Sequence, residues 1–114
     1  MRRLLVALLV VVGLGACGGG GSGSHPAVGP LGVLVADFAF QPSTLKVHVG
    51  DTVTWTFDQP DAPHNVVSLS GPASFNSGAP KGSGRWAFRF TAPGTYTYIC
   101  LVHPAMKGTV TVTP

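Results

Sequence analysis

The 114-residue chain contains no glutamate, and its only acidic side chains are Asp37, Asp51, Asp58 and Asp61. No glutamate is therefore available as a general base, and neither a Gly-x-Ser-x-Gly elbow nor a Gly-rich phosphate loop after a strand stands in for one. Gly82-Ser83-Gly84 comes nearest to such a loop, and a lone pair of glycines is a turn signal. Nothing in the chain supports a substrate-turning enzyme. Basic runs are missing too, as is any stripe of interleaved aromatic and basic residues, so nucleic acid is not an expected partner. No segment shows a convincing helical stripe. Cysteine is scarce, with only Cys17 and Cys100, and so is methionine, with only Met1 and Met106.

One long apolar run exists, from Leu4 to Leu14, behind the basic pair Arg2-Arg3. It falls short of the roughly 20 apolar residues that a permanent membrane helix needs, and reads instead as a removable export signal. Leu14-Gly15-Ala16-Cys17 resembles the cleavage box of a bacterial lipoprotein. That resemblance implies a signal peptide over residues 1–16, a lipid thioether on Cys17, and attachment outside the cytoplasmic membrane, at its periplasmic or outer face. Removal of the signal leaves Lys46, Lys81, Arg85, Arg89 and Lys107 against the four aspartates, a net charge of +1. It also leaves Cys100 as the single free thiol of an exported protein, where cysteines ordinarily pair. Metal ligation is one explanation for such a thiol, and inert burial is the other.

Residues 17–30 hold the lipidated cysteine and a Gly/Ser-rich stretch with no hydrophobic pattern, expected to be a flexible tether spanning about 20 Å. His25 lies within it and reads as solvated and incidental. Residues 31–114 form one small domain, near the lower size at which a single core suffices. Its pattern is β throughout. Leu45, Val47 and Val49 alternate with Lys46 and His48 up to a Gly50-Asp51 turn, which leaves His48 on the exposed face. Val53, Trp55 and Phe57 alternate with threonines. Trp86, Phe88 and Phe90 lead to an Ala92-Pro93-Gly94 turn, Tyr96, Tyr98 and Cys100 follow in register, and Thr109 to Val112 make a last strand. Period-2 runs broken by Gly and Pro predict an antiparallel sandwich or barrel.

Cys100 closes one of those strands, and His103 and Met106 follow at i+3 and i+6 in the loop before the last strand. A second histidine, His64, sits between Pro63 and Asn65 in a loop joining two other strands. One thiolate, two imidazoles and one thioether make a ligand set that suits copper in both oxidation states. Sulfur favours Cu(I), imidazole holds Cu(II), and a His2Cys site with a weak axial methionine is the blue-copper electron-transfer arrangement. Ligands at i, i+3 and i+6 can curl around one ion, with the distant loop supplying the fourth. Pro63 and Pro104, each beside one of the histidines, restrict φ there and stiffen the placement. Four histidines in all are too few for the trinuclear cluster of a multicopper oxidase.

The stretch from Leu45 to Trp55, the Pro63-His64-Asn65-Val66 segment, and Ala92 to Cys100 with its following loop resemble the cupredoxins, or blue copper proteins, of the plastocyanin and amicyanin kind. Two residues in each gap of the Cys100, His103, Met106 loop is amicyanin-like spacing. The resemblance implies an all-β, cupredoxin-like antiparallel Greek-key sandwich holding one type 1 copper. His64, Cys100 and His103 would be its strong equatorial ligands, and Met106 its weak axial one. It further implies that Asn65 braces the two ligand loops and that its N–H helps solvate the Cys100 sulfur. His103 would emerge through an apolar patch of Leu101, Val102 and Ala105 where redox partners dock.

Two features depart from that pattern. Leu101 and Val102 replace the hydroxyl residue and proline often found after the cysteine, so the Asn65 brace must rest on the main chain of Leu101. The segment from Phe57 to Ala62 is also somewhat longer than usual. The function expected is a monomeric, membrane-anchored one-electron shuttle between a redox protein donor and acceptor. Its alternative is a copper-binding protein for delivery or sequestration, although a Met-rich delivery surface is missing.

Overall fold

The computed structural model describes residues 25–114. The expected export signal, Cys17 and the first part of the expected tether lie outside the described residues. Eight strands account for the regular structure: β1 (Gly32–Ala36), β2 (Ala39–Gln41), β3 (Thr44–His48), β4 (Thr52–Asp58), β5 (Val67–Ser70), β6 (Ser83–Arg89), β7 (Gly94–Ile99) and β8 (Lys107–Thr113). They form two four-stranded sheets, ordered β2-β1-β4-β6 and β3-β8-β7-β5. The fold is thus the all-β sandwich that the alternation predicts, of the cupredoxin-like kind that the resemblance implies. The pairing is mixed rather than wholly antiparallel, because β1 runs parallel to β4 and β3 parallel to β8.

Alternation decides which side chains meet between the sheets. Val53, Trp55 and Phe57 of β4, Tyr96 and Tyr98 of β7, and Val110 and Val112 of β8 all point inward and are buried. The Tyr98 phenol is driven up to about 12 by that burial. Tyr96 ends in a hydroxyl that donates to the Ala92 carbonyl at 2.7 Å, pinning the turn before β7. Gly108 of β8 has no room for a Cβ because the Tyr98 ring lies against it.

Three further expectations change in the folded chain. Val49 lies beyond the end of β3 and is exposed, because the strand gives way at His48 to the turn in which Gly50 takes φ +94°. Trp86 and Phe88 are only partly buried, since β6 is the outer strand of its sheet and little covers it. His25 is not a solvated bystander. Its Nδ1 lies 2.7 Å from Asp58 Oδ2 and its Nε2 2.9 Å from Asp37 Oδ2, so the ring clasps the end of β4 to the β1–β2 turn. Those two carboxylates, Asp58 foremost, raise its pKa above the ordinary value of 6.5.

Candidate metal centre

At one end of the sandwich the loop from β4 to β5, the loop from β7 to β8 and the β1–β2 turn converge. The β7–β8 loop is closed by its own main chain. Met106 N–H donates to His103 O at 2.9 Å, a β-turn with Pro104 at its second position, where the ring's fixed φ belongs. Cys100 N–H in turn donates to Met106 O at 3.2 Å. The x-x spacing between His103 and Met106 is therefore the span of one turn, and the methionine is returned beside the cysteine. Cys100 and Met106 are both buried in the core cluster.

His64 arrives from the other loop as an isolated β-bridge. Its N–H donates to Lys81 O and its carbonyl accepts Lys81 N–H. The imidazole is fully buried, whereas that of His103 is half-buried. Burial, and then the neighbouring His103, lower the His64 pKa below 6.5, so the ring stays neutral and keeps a lone pair for a metal. Asn65 follows immediately. Its N–H lies 3.5 Å from Cys100 Sγ, its Oδ1 accepts Leu101 N–H at 2.9 Å, and its Nδ2 donates to Gly78 O at 3.3 Å.

The donor atoms converge on one point. Cys100 Sγ lies 3.7 Å from His64 Nδ1 and 3.8 Å from His103 Nδ1, and the two nitrogens are 3.0 Å apart. A point equidistant from three atoms so spaced is about 2 Å from each, the length of a bond from a first-row metal to imidazole. The residues present therefore fit a copper ion, by spacing and by the softness of their donors.

Two residues at this end carry no ligand signature in the sequence. Phe38 stands edge-on to both imidazoles, with ring centroids 5.5 Å from His64 and 5.1 Å from His103. Gln59 Oε1 lies 2.7 Å from His64 Nε2. Only the unusual length of the segment before Pro63 hinted that something extra sits there. Around His103 the surface is apolar: Phe38, Leu101 and Val102 are 53%, 54% and 51% exposed, and Ala105 is exposed beside them. Neither Leu101 nor Val102 fills the core.

A β-sandwich that gathers a thiolate, two imidazoles and a buried thioether at one end is a copper-binding cupredoxin. The chain belongs to the plastocyanin/azurin family of copper-binding proteins, whose model matches residues 29–113. It is 38% identical over 87 residues to amicyanin-alpha of Methylorubrum extorquens, covering 74% of this chain and 72% of that one. Auracyanin-A of Chloroflexus aurantiacus is 31% identical over 98% of this chain and 97% of its own length. Among solved structures, an oxidised amicyanin point mutant superposes with a TM-score of 0.66 at 36% identity, over 77% of this chain and 86% of that one.

Proposed function

We propose that the protein is a type 1 copper electron carrier, not an enzyme, held outside the cytoplasm by a lipid on Cys17 and a tether over residues 17–30. The observation that carries this reading is the convergence of His64 Nδ1, Cys100 Sγ and His103 Nδ1, all within 4.8 Å of one another, next to buried Met106. These four residues would hold one copper, with Met106 as the weak axial donor. Copper bound there supplies a one-electron Cu(II)/Cu(I) couple.

What the chain contributes is a fixed placement of donors. His64 is anchored through its bridge to Lys81, and the β7–β8 loop through the Pro104 turn and the Asn65 brace. Ligands held this firmly change little between oxidation states, and that favours rapid electron transfer. Rigid burial of His64 also argues against ready metal release, and hence against a delivery role. His103 is the ligand whose ring reaches the surface, and Leu101, Val102 and Ala105 around it form a small apolar face for short-lived docking of a redox partner. A monomer whose net charge falls from +3 to +1 once residues 1–16 are removed, and whose remaining sequence has no basic run, suits that work.

The test is the visible spectrum and copper stoichiometry of the protein titrated with Cu(II). An intense blue band at one copper per chain, bleached reversibly by a mild reductant, is the expected result. Tight binding without that band would overturn the carrier reading and favour copper delivery or sequestration.

A further inference from the structure

Gln59 opens the loop that ends in His64, and the main chain fixes its position. Its N–H donates to Gly82 O at 3.0 Å, and its carbonyl accepts Ala62 N–H at 3.1 Å across a turn with Pro60 second. The turn rests directly on Gly82, where an added Cβ would come within 2.8 Å of Pro60 Cα. From this seat the side-chain Oε1 reaches two nitrogens, Phe38 N at 3.0 Å and His64 Nε2 at 2.7 Å.

Those two contacts settle where the His64 proton sits. The oxygen and nitrogen of a glutamine amide are ordinarily interchangeable in a structure. Phe38 N is a main-chain amide and can only donate, so the Gln59 atom facing it is the oxygen. An oxygen facing Nε2 can only accept, so Nε2 carries the hydrogen. A neutral imidazole has one N–H and one lone pair. The lone pair of His64 is therefore on Nδ1, the atom that faces Cys100 and His103. Both lone pairs of Oε1 are occupied, which leaves it no further donor to accept. The Phe38 N–H is itself aimed by an uncommon backbone, with Asp37 and Phe38 consecutively at φ +52° and +56°. Positive φ at both central residues is what the two-residue hairpin between Ala36 and Ala39 requires, so the turn itself fixes the direction of this amide.

We propose that Gln59 is a positioning residue for the copper site. It holds His64 in the Nε2–H tautomer that leaves Nδ1 free for the metal, and is itself held by the Phe38 amide of the β1–β2 turn. This rests on the copper reading above. The sequence offers no motif for it, because the relation runs through a turn 21 residues upstream of Gln59.

The test combines long-range 1H–15N NMR of the His64 ring with Cu(II) affinity. In the metal-free protein above neutral pH, the expected state of the His64 ring is a proton on Nε2, exchanging slowly, and none on Nδ1. Gln59→Leu removes the acceptor. It should mix the tautomers and weaken Cu(II) binding about 10- to 100-fold, the usual cost of losing a partner behind a metal-binding histidine. Gln59→Glu keeps an acceptor for both donors and should restore the single tautomer and the affinity. It should also lower the reduction potential, because a carboxylate makes the imidazole a stronger donor to Cu(II). A wild-type ring protonated at Nδ1 would overturn the proposal, as would Gln59→Leu with tautomer and affinity unchanged. Should Gln59→Leu fail to fold, the wild-type ring and Gln59→Glu still decide. The tautomer is read without metal. A protein that holds the Nε2–H form yet binds no copper therefore overturns the carrier reading, whereas copper binding by a chain whose metal-free ring is Nδ1–H overturns the role of Gln59.

Discussion

Asn65 directs its main-chain N–H at Cys100 Sγ from 3.5 Å, although 35 residues separate them in the chain. The side chain of the same residue takes the Leu101 N–H, so the two ligand loops are joined on both sides of the sulfur. Asn65→Leu removes the acceptor for Leu101 and the donor to Gly78 together. Since Asn65 is 5% exposed, water cannot readily replace it. A loss of about 1–3 kcal/mol is expected in denaturant titration of the metal-free protein. Leu101 amide exchange should accelerate at the same time. Unchanged exchange at Leu101 would show that the brace does not hold the loop.

Met106 allows a test of the axial position. Met106→Leu conserves volume in a buried site, so stability should fall by less than about 1.5 kcal/mol. An axial donor of any kind stabilises the more highly charged Cu(II) more than Cu(I), so losing even the weak thioether should raise the reduction potential measured by voltammetry while the blue colour stays. Met106→Gln brings a harder oxygen that favours Cu(II), and the potential should fall. Cys100→Ser should abolish the colour, which arises from the copper–thiolate bond. An unchanged potential for Met106→Leu would mean that the sulfur is not an axial donor, and a drop that its softness toward Cu(I) outweighs the charge effect.

The parts of this site that were legible in the sequence are those whose side chains carry their own chemistry. His64, Cys100, His103 and Met106 announce themselves by residue type and spacing, and the inward faces of β4, β7 and β8 by alternation. β1 gave no such signal. Gly32-Val-Leu-Val-Ala36 is buried along its whole length and shows no period-2 contrast. Its parallel pairing with β4 is a long-range choice that no local pattern encodes. The roles of Gln59 and Phe38, and the contacts of His25 that contradict its incidental reading, are hidden for a related reason. A glutamine, a phenylalanine in a turn and a histidine in a Gly/Ser stretch are each unremarkable alone. They acquire roles only when the fold brings β1, β4 and the approach to them into contact.

The apolar face around His103 predicts how the protein meets its partners, and a second copy can serve as the probe. Leu101→Lys and Ala105→Lys place cations where Phe38, Leu101 and Val102 now present exposed carbon. Electron self-exchange, read from NMR line widths in mixtures of oxidised and reduced protein, requires two such faces to touch. It should slow by roughly 10-fold, at the lower end of the spread seen when one interface is mutated. High salt should restore part of the rate by screening the added charge. Rates untouched by both substitutions would rule out this face as the docking surface.

His25 predicts a pH dependence whose direction its partners fix. Its pKa is raised above 6.5 in the folded protein, first by the hydrogen bond to Asp58 and then by that to Asp37. The folded state therefore binds the proton more tightly than the unfolded chain does. The clasp's contribution to stability is fully present below pH 6.5 and is lost as pH rises through the raised value. His64 works in the opposite sense in the metal-free protein. Its lowered pKa means that stability is lost as pH falls below 6.5, so the raw stability curve mixes the two. The difference between wild type and His25→Gln isolates the clasp, because His64 is common to both. That difference should be largest in mild acid and shrink above neutrality, and Asp58→Asn should reduce it more than Asp37→Asn. Amide protection at Ala27, Val28 and Gly29, relative to the intrinsic exchange rate at each pH, should fall over the same pH range as the ring lets go. A difference that grows with pH would show that His25 does not clasp these carboxylates as a cation.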